Sequence, residues 1–400
     1  MKIIKAIIKV IIKTVTSVIL IALLAISATS VSLVYDFRPP KPFEGPDIFN
    51  PYRNLDTSYC WKRANFHTHT RVKGPMNECK KWPAEVYADL EKFGYDIVTF
   101  SNHNSITKHP FDSALQVNVY EHGYNLFKFH KLVFGSRKVM RFDHLIPIFS
   151  FQRQFQLDLL DADADLIQIN HPLRTNATSR EMMEKISGYQ LIELDSGRST
   201  ENTYWDWALS AGHYSFAVAN DDLHHTDRSR CIAVRCNFLC CPSARYEDIR
   251  HTLLDGCFYS MRVPDYGRGD WEVKYEENRH LPYIKEIGLD DDTIYMSLSE
   301  PADSIKVIGQ EHSILYKETS SDSIRYQMDP SDTYARMTAY FPKGEVIYTN
   351  AFARYDSTQR ESPICNEPQK VNFILTMLYN VAIILICIGI AFLLRKIIMK

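Results

Sequence analysis

Short apolar runs alternate with helical patterns through the middle of the chain, from residue 60 to about residue 262. The predicted strands are residues 64–66, 96–100, 145–149, 166–169, 191–194, 216–219 and either 232–235 or 258–261. The predicted helices between them are residues 83–93, 179–187, 202–211 and 243–254. Such alternation predicts an α/β fold with about seven strands in a mostly parallel sheet, open or closed.

Two other stretches have a different texture. Residues 105–144 are rich in aromatic side chains, and we expect either a lid beside a site or additional packing helices. Residues 284–358 alternate apolar and polar positions with a period of two, and turn residues separate the runs. This pattern predicts a small antiparallel β-sandwich or sheet that follows the first domain.

Both ends of the chain carry long uncharged runs, at residues 14–35 and 371–394. Each run exceeds the roughly 20 apolar residues that cross a bilayer. Lysines precede the first run and Arg395 and Lys396 follow the second, so the positive-inside rule predicts that both termini are cytoplasmic. We expect an uncleaved transmembrane signal anchor at residues 1–35, with a cleaved signal peptide as the alternative. A linker at residues 36–58 then leads to an extracytoplasmic main domain.

The overall charge balance is ordinary. The net charge is −2 and 24% of the residues are charged, which gives no basic face for nucleic acid. Nine cysteines in an exported chain allow either buried thiols or one or two disulfides, and the sequence does not fix the pairing.

Four histidine motifs each follow an apolar run directly. They are His67-Thr68-His69, Asn102-His103, Asn170-His171-Pro172 and Asp222-Leu223-His224. Side chains at positions i and i+2 of a strand share a face, and strand ends in β/α barrels meet at one rim. Imidazoles with a carboxylate are ligands for Zn, Mn or Fe. The motifs therefore predict a metal site spread over four strand ends.

The motifs resemble those of the PHP (polymerase and histidinol phosphatase) superfamily of metal-dependent phosphoesterases. The similar segments are residues 65–70, 94–104, 169–172 and 219–224, within about half of the chain. The resemblance implies a distorted seven-stranded β/α barrel at residues 59–270, a di- or trinuclear site of Mn, Zn or Fe, and a metal-bound hydroxide as nucleophile. We expect one to three ions in all, because a site of mostly neutral imidazoles would hold fewer. The ligands that the resemblance implies are His67, His69, His103, His171, Asp222 and His224.

A phosphoesterase of this kind also needs groups that hold the phosphate. Arg174 and Arg198 are the candidates for this role, because a guanidinium forms bidentate hydrogen bonds with phosphate. A phosphorylated small molecule and a lipid-linked phosphate are both expected substrate classes. The resulting hypothesis is a membrane-anchored, extracytoplasmic, metal-dependent phosphoesterase-like hydrolase.

Three departures from the family pattern remove negative charge. Gln152 takes the position expected for a metal-bridging carboxylate, Asn102 replaces an aspartate, and Glu78 is the nearest carboxylate after His69. They motivate an alternative, in which a catalytically degenerate scaffold binds a protein partner or an envelope glycan. A metal-dependent amidohydrolase is a third hypothesis, although the chain has no convincing metal-bridging lysine.

Overall fold

The computed structural model describes residues 2–73, 77–175, 177–197, 201, 203–364 and 367–399. Within these residues the chain is a mixed α/β structure, as the alternating pattern predicts. Its helices are α1 (Lys2–Ala28), α2 (Pro83–Glu91), α3 (Ser150–Asp161), α4 (Arg180–Met183), α5 (Tyr204–Ser210), α6 (Tyr246–Asp255), α7 (Trp271–Asn278) and α8 (Phe373–Ile398).

The strands of the described residues form three sheets. Their bounds are β1 (Tyr35–Asp36), β2 (Asp47–Phe49), β3 (Trp61–Asn65), β4 (Ile97–Val98), β5 (Val119–His122), β6 (Lys131–Phe134), β7 (Leu166–Ile169), β8 (Leu191–Ser196), β9 (Phe216–Asn220), β10 (Arg235–Cys240), β11 (Phe258–Arg262), β12 (Ile284–Asp290), β13 (Thr293–Gly309), β14 (Ser313–Gln327), β15 (Tyr334–Tyr340), β16 (Val346–Tyr348), β17 (Phe352–Tyr355) and β18 (Lys370–Val371).

Two of these sheets position the histidine motifs. Strand β3 pairs in parallel with β4, and β7, β8 and β9 form a second parallel set. Two isolated parallel bridges connect the sheets, one between Thr68 and Leu223 and the other between His103 and Glu121. The residues that follow β3, β4, β7 and β9 consequently meet at one place.

Local signals in the sequence set several helix ends. Pro83 is the first residue of α2, and the Glu85 carboxylate accepts a hydrogen bond from the Trp82 N–H at 2.8 Å. Helix α6 ends at Gly256, whose φ of +85° is left-handed. A Cβ atom there would also lie 2.4 Å from the Phe216 ring, so only glycine fits this position.

The C-terminal strands are antiparallel, as predicted, but they do not form a separate sheet. Strands β12, β13, β15 and β16 continue into β11, β10, β3 and β4, because β16 pairs with β11. Strands β13 and β14 form one long hairpin of 17 and 15 residues. The period-two pattern specified antiparallel strands, whereas the pairing of Ser260 with Tyr348 depends on tertiary structure.

Two predicted segments have other structures. Residues 145–149 are not a strand: Pro147 interrupts the run, and Ile148 and Phe149 are exposed. The aromatic stretch 105–144 forms neither a long helix nor a lid of helices but contains the antiparallel pair β5 and β6. Their short apolar runs, Val119–His122 and Lys131–Phe134, are buried at every position.

All eight cysteines of the described residues are thiols. Five of them are buried, which agrees with the predicted alternative of buried thiols rather than disulfides. Cys365 lies outside the described residues.

The terminal helices α1 and α8 pack against each other, and both are long and apolar enough to cross a membrane. Beyond Ala28 the chain is no longer helical. Polar side chains of α8 form hydrogen bonds with the backbone of this non-helical segment. The Asn380 amide bonds both the N–H and the C=O of Ser32, at 3.1 and 2.9 Å, and the Val34 N–H donates to Thr376 Oγ1 at 2.9 Å. This pairing satisfies backbone groups that have no partner within a helix.

Candidate metal centre

The structure brings all six predicted ligands together, with three further side chains. His67 and His69 follow β3, His103 follows β4, His171 follows β7, and Asp222 and His224 follow β9. We call the group the histidine–carboxylate cluster; it comprises His67, His69, Glu78, His103, Glu121, His130, His171, Asp222 and His224.

Glu121 lies at the centre of this cluster. Its Oε1 atom is 3.3 Å from His67 Nε2, 3.0 Å from His130 Nδ1 and 3.3 Å from His171 Nε2. Its Oε2 atom is 3.3 Å from His69 Nε2 and 3.0 Å from His103 Nε2. A carboxylate with each oxygen among different imidazoles has the arrangement needed to bridge two cations.

Glu78 occupies the more open side of the cluster. Its Oε2 atom is 3.3 Å from both His69 Nδ1 and His103 Nε2, and its Oε1 atom is 3.7 Å from His224 Nε2. The Glu78 side chain is 32% exposed, whereas that of Glu121 is 1% exposed. Solvent or a substrate can therefore reach the cluster from the Glu78 side.

Four overlapping groups of three residues have ligand atoms within 4.8 Å of one another. They are His67–Glu121–His171, His67–His69–Asp222, His69–Glu78–His224 and His103–Glu121–His130. The first and third groups share no residue. These two groups are separate sets of candidate ligands, and Glu121 and His69 each belong to a second group as well.

Glu193 on β8 fixes the orientation of the His67 ring. Its Oε1 atom lies 2.8 Å from His67 Nδ1, which directs His67 Nε2 towards Glu121 and Asp222. Its Oε2 atom accepts the His171 backbone N–H at 2.7 Å. A carboxylate behind a histidine in this way fixes the tautomer and increases the basicity of the nitrogen that faces the cluster.

The charges within the cluster are strongly coupled. Burial alone would raise the pKa of Glu121, but the facing rings of His103 and His67 lower it well below its usual value. Burial alone would lower the pKa of His67, but the surrounding carboxylates raise it well above its usual value. Buried imidazoles that face carboxylates must gain protons, or cations must take the place of those protons.

The chemistry of the donor atoms fits divalent cations. His69 Nε2, His67 Nε2 and Glu121 Oε2 are fully buried, and none has a well-oriented hydrogen-bond partner in the described residues. Leaving buried polar atoms unsatisfied costs about 1–3 kcal/mol each, so a ligand that satisfies several of them binds strongly. Imidazole with carboxylate suits Zn, Mn or Fe.

Backbone strain coincides with the cluster. His171 and Asp222 have left-handed φ angles of +26° and +49°, although neither is glycine. Such conformations cost about 1–3 kcal/mol each and persist where the surroundings impose them. Here the His171 N–H bond to Glu193 and the parallel bridge of Leu223 with Thr68 hold the two segments.

The remaining predicted site residues have different outcomes. Arg174 Nη1 lies 3.5 Å from Asp222 Oδ2, at the edge of the cluster. Arg198 lies outside the described residues. The structure does not bring Gln152 to the cluster: it is in the first turn of α3, where its side chain bonds the Phe149 N–H at 3.1 Å and the Tyr379 hydroxyl at 3.4 Å. Because residues 145–149 are not a strand, no strand end carries Gln152 to the rim.

Asn102 has a structural explanation. Its Oδ1 atom accepts the Thr70 N–H at 2.7 Å, and its Nδ2 atom donates to the hydroxyls of Thr70 and Thr107 at 2.7 Å. The amide therefore ties together the loops after β3 and β4. An aspartate could not donate the two Nδ2 bonds.

Sequence reasoning missed three acidic or histidine residues that matter here: Glu121, His130 and Glu193. Glu121 and His130 lie in the aromatic stretch that we expected to be a lid or helices, and Glu193 lies inside a predicted strand. The available signal was the short run Val119–His122 after a turn, which resembles the other strands in composition. His122, by contrast, bonds the Phe142 carbonyl at 2.9 Å through Nε2.

A large cavity of the described residues is separate from the cluster. It has a volume of about 1160 Å³ and lies near Arg38, Gly188, His213 and Arg360. None of the cluster residues lines it. Its lining includes the residues before β8 and β9, at the ends of these strands opposite to the histidines.

Comparisons with known proteins give limited information. No protein-family model matches the chain, and no curated protein matches it. Among solved structures, the chain is similar to a two-domain protein from Bacteroides vulgatus ATCC 8482 that contains a predicted PHP-like metal-dependent phosphoesterase. The identity is 15%, the alignment covers 78% of this chain and 99% of that chain, and the TM-score is 0.41. At this level of similarity, the geometry of the site is the stronger guide to the chemistry of this chain.

Proposed function

We propose that this chain is a membrane-anchored, metal-dependent phosphoesterase whose metal centre is the histidine–carboxylate cluster. The observation that carries the proposal is the convergence of six imidazoles and three carboxylates in a mostly buried site, with Glu121 between them. The ion set is two or three divalent cations, because two disjoint groups of ligands exist and a third shares Glu121.

The residues divide into roles. His67, His69 and Asp222 hold one ion, His171 and His130 lie on the Oε1 side of Glu121, and Glu78, His103 and His224 form the open side. When bound, such ions polarise a phosphoryl oxygen and activate water at neutral pH. Glu193 accepts a hydrogen bond from His67 Nδ1–H, which leaves the Nε2 lone pair of His67 facing the ion site and increases its basicity.

Arg174 is the proposed phosphate-binding residue. Its guanidinium is partly exposed and is paired with Asp222 at 3.5 Å, so it stands between the cluster and solvent. A phosphate that enters from the open side would accept hydrogen bonds from this guanidinium while its other oxygens face the cluster. Arg198 stays a second candidate from sequence.

Membrane anchoring is proposed from the two terminal helices. Both spans are helices of 26 residues that are long and apolar enough to cross a membrane, and Lys13 Nζ donates a hydrogen bond to the Ile398 carbonyl, so the basic ends of the two helices lie at the same level. This arrangement supports two antiparallel spans with both termini cytoplasmic. We further propose that the two sheets around the cluster are the wall of a distorted seven-stranded barrel.

The alternative hypotheses have less support. The degenerate scaffold rests on the neutral side chains of Gln152 and Asn102. Both residues form structural hydrogen bonds instead. Glu121 and Glu78 supply carboxylates to the cluster. An amidohydrolase of the expected type needs a metal-bridging lysine, and no lysine in the described part of the chain is within ion-pair distance of Glu121.

The test is metal content and turnover of the full-length protein, purified in detergent. Elemental analysis should give two or more Mn, Fe or Zn ions per chain. Bis(p-nitrophenyl) phosphate and p-nitrophenyl phosphate should be hydrolysed in a metal-dependent manner. The double variant His67→Ala/His69→Ala should lose both properties, because it removes ligands from three of the four groups.

The matched control is His251→Ala/His280→Ala, which removes two exposed histidines whose partners are exposed glutamates. It should keep metal content and turnover. Full turnover in the His67→Ala/His69→Ala variant would overturn the proposal.

A further inference from the structure

A group of exposed apolar side chains lies near the cluster, and we call it the collar. It consists of Tyr124 and Leu126, which are 42% and 67% exposed, and of Ile148 and Phe149, which are 52% and 48% exposed. Exposed large apolar side chains that stand together mark an interaction surface. The question is which partner covers them.

The collar segments are attached to the ends of the terminal helices. The Leu126 N–H donates to the Leu145 carbonyl at 2.9 Å, and the Leu145 N–H donates to Thr29 Oγ1 at 3.3 Å. On the other helix, the Phe151 ring packs edge-on against Tyr379, with ring centroids 5.0 Å apart. The collar is therefore continuous with the apolar surfaces of α1 and α8.

The level of these contacts along α8 places the collar at the bilayer boundary. Arg395 ends the uncharged run, and about 20 residues counted back from Leu394 reach Leu375. Tyr379, which contacts the segment that carries Ile148 and Phe149, lies about one helical turn further inside. Apolar side chains at this depth face lipid rather than water.

The direction of α3 orients the cluster relative to the bilayer. Gln152, near the start of α3, bonds Tyr379, whereas Asp158 accepts a hydrogen bond from Tyr35, which pairs with Val371 outside the apolar span. Helix α3 thus runs away from the bilayer. Strand β7 packs on α3 and follows it after a short turn, so β7 returns towards the bilayer and ends before His171.

Hydrogen bonds connect the collar with the segment that carries His171 and Arg174. Thr175 Oγ1 donates to the Phe127 carbonyl at 2.7 Å. Arg153, which is fully buried, donates to the Pro147 carbonyl at 3.3 Å and to Thr178 Oγ1 at 2.6 Å. The loops of the collar are therefore connected by hydrogen bonds to the segment that carries His171 and Arg174.

We infer that the substrate is the phosphate ester of a membrane lipid, which reaches the cluster from the bilayer at the collar. This inference rests on the proposed phosphoesterase function and names its substrate class. In the reaction, water forms a new P–O bond, the P–O bond to the lipid alcohol breaks, and the leaving oxygen takes a proton from that water. The acyl chains stay in the bilayer beside the collar while the headgroup enters.

The first experiment compares a lipid ester with a soluble one. Full-length protein is reconstituted in nanodiscs that contain dioleoyl phosphatidate, and phosphate release is measured beside hydrolysis of p-nitrophenyl phosphate. The variant is Leu126→Asp/Ile148→Asp, and the control is Ile314→Asp/Val273→Asp, at residues that are 57% and 42% exposed outside the collar. Turnover of phosphatidate should fall about tenfold or more in the collar variant, while turnover of p-nitrophenyl phosphate stays within about twofold of the unmodified protein.

An equal loss of turnover on both substrates, or no loss of turnover on phosphatidate, would overturn the inference.

A second measurement does not depend on catalysis. Leu126→Trp and Ile314→Trp proteins are placed in nanodiscs whose lipids are brominated near the headgroup end of the acyl chain. Quenching of the tryptophan fluorescence is expected for Leu126→Trp only. Equal quenching in both proteins would show that the collar does not contact the bilayer.

The two measurements separate the inference from the proposed function. If the unmodified protein hydrolyses neither ester in the presence of metal ions, the proposed phosphoesterase function is wrong, and the proposed lipid substrate is wrong with it. The quenching result still decides whether the collar contacts lipid. If both esters are hydrolysed and the collar variant affects neither, the function holds and the lipid substrate is wrong.

Discussion

Two buried charged clusters in this molecule differ in how their polar atoms are satisfied. In the first, Asp206 is bonded by Arg336 at 2.9 and 2.8 Å, by His312 at 2.7 Å and by the Tyr334 hydroxyl at 3.0 Å. The second is the histidine–carboxylate cluster, in which imidazoles surround Glu121 at 3.0–3.3 Å and several buried nitrogens have no well-oriented partner among the residues that the structure describes.

The difference distinguishes a structural cluster from a ligand site. Arg336 holds the pKa of the buried Asp206 carboxyl at about 2, against the opposing effect of burial, and the described partners complete its hydrogen bonds. The histidine–carboxylate cluster has the same burial but an incomplete set of bonds. A buried group that the protein does not satisfy by itself is one that a ligand is expected to satisfy.

The largest expected effect is that of Glu121→Gln. An amide cannot bridge two cations, so metal content should fall and metal-dependent turnover should drop about 10³-fold. Elemental analysis measures the metal content, and kcat/KM measures the loss of turnover. Removal of the ions from the unmodified protein by a chelator should give the same loss, and re-addition should restore only the unmodified protein. A Glu121→Gln protein that keeps its ions would contradict the bridging role.

The next effect concerns the other cluster. Asp206→Asn removes the buried carboxylate that accepts two hydrogen bonds from Arg336 and leaves Glu201, at 3.0 Å, as the carboxylate partner of Arg336. The free energy of unfolding should therefore fall by about 3 kcal/mol. Denaturant unfolding measures this change, while metal content should stay the same. Asp290→Asn, which breaks an exposed pair with Arg325, is the control and should cost less than about 1 kcal/mol. Loss of metal in Asp206→Asn would show that the two clusters are coupled.

Arg174→Ala tests the phosphate-binding role at the edge of the cluster. The KM for p-nitrophenyl phosphate should rise about tenfold or more, because a charged hydrogen bond to phosphate is lost. Arg174→Lys should recover part of this loss, since it restores the charge without the bidentate geometry. Arg180→Ala removes an exposed arginine paired with Glu184 and should leave KM unchanged. If Arg174→Ala leaves the KM unchanged, another residue binds the phosphate.

The smallest effect concerns a half-buried histidine that belongs to neither cluster. Burial lowers the pKa of His213, whose Nε2 atom bonds the Glu184 carbonyl at 2.8 Å. The unfolded chain therefore takes up a proton that the folded chain does not. Stability should fall as pH decreases below about 6.5, by up to about 1.4 kcal/mol per pH unit. Unfolding of His213→Gln should show a weaker pH dependence; equal slopes would contradict the prediction.

Part of the fold and of the site could be predicted from sequence, because the signals are local. Strand β7 and the apolar terminal runs were readable from short windows, as were Pro83 and Gly256 at helix ends. The six histidine and aspartate positions were readable as well, since each follows a strand. The 145–149 run looked like a strand, and only the structure shows that it leads to the terminal helices.

The sequence by itself determined many of the helices and strands, the two apolar ends and the residues of the four histidine motifs, since periodicity and turn residues act over a few positions. Tertiary structure alone decided that Glu121, which is 50 positions from His171, stands at the centre of the cluster. It also excluded Gln152 from the cluster and joined β16 to β11. These outcomes depend on which strands pair and on which side chains face each other, and neither is encoded in any one local pattern.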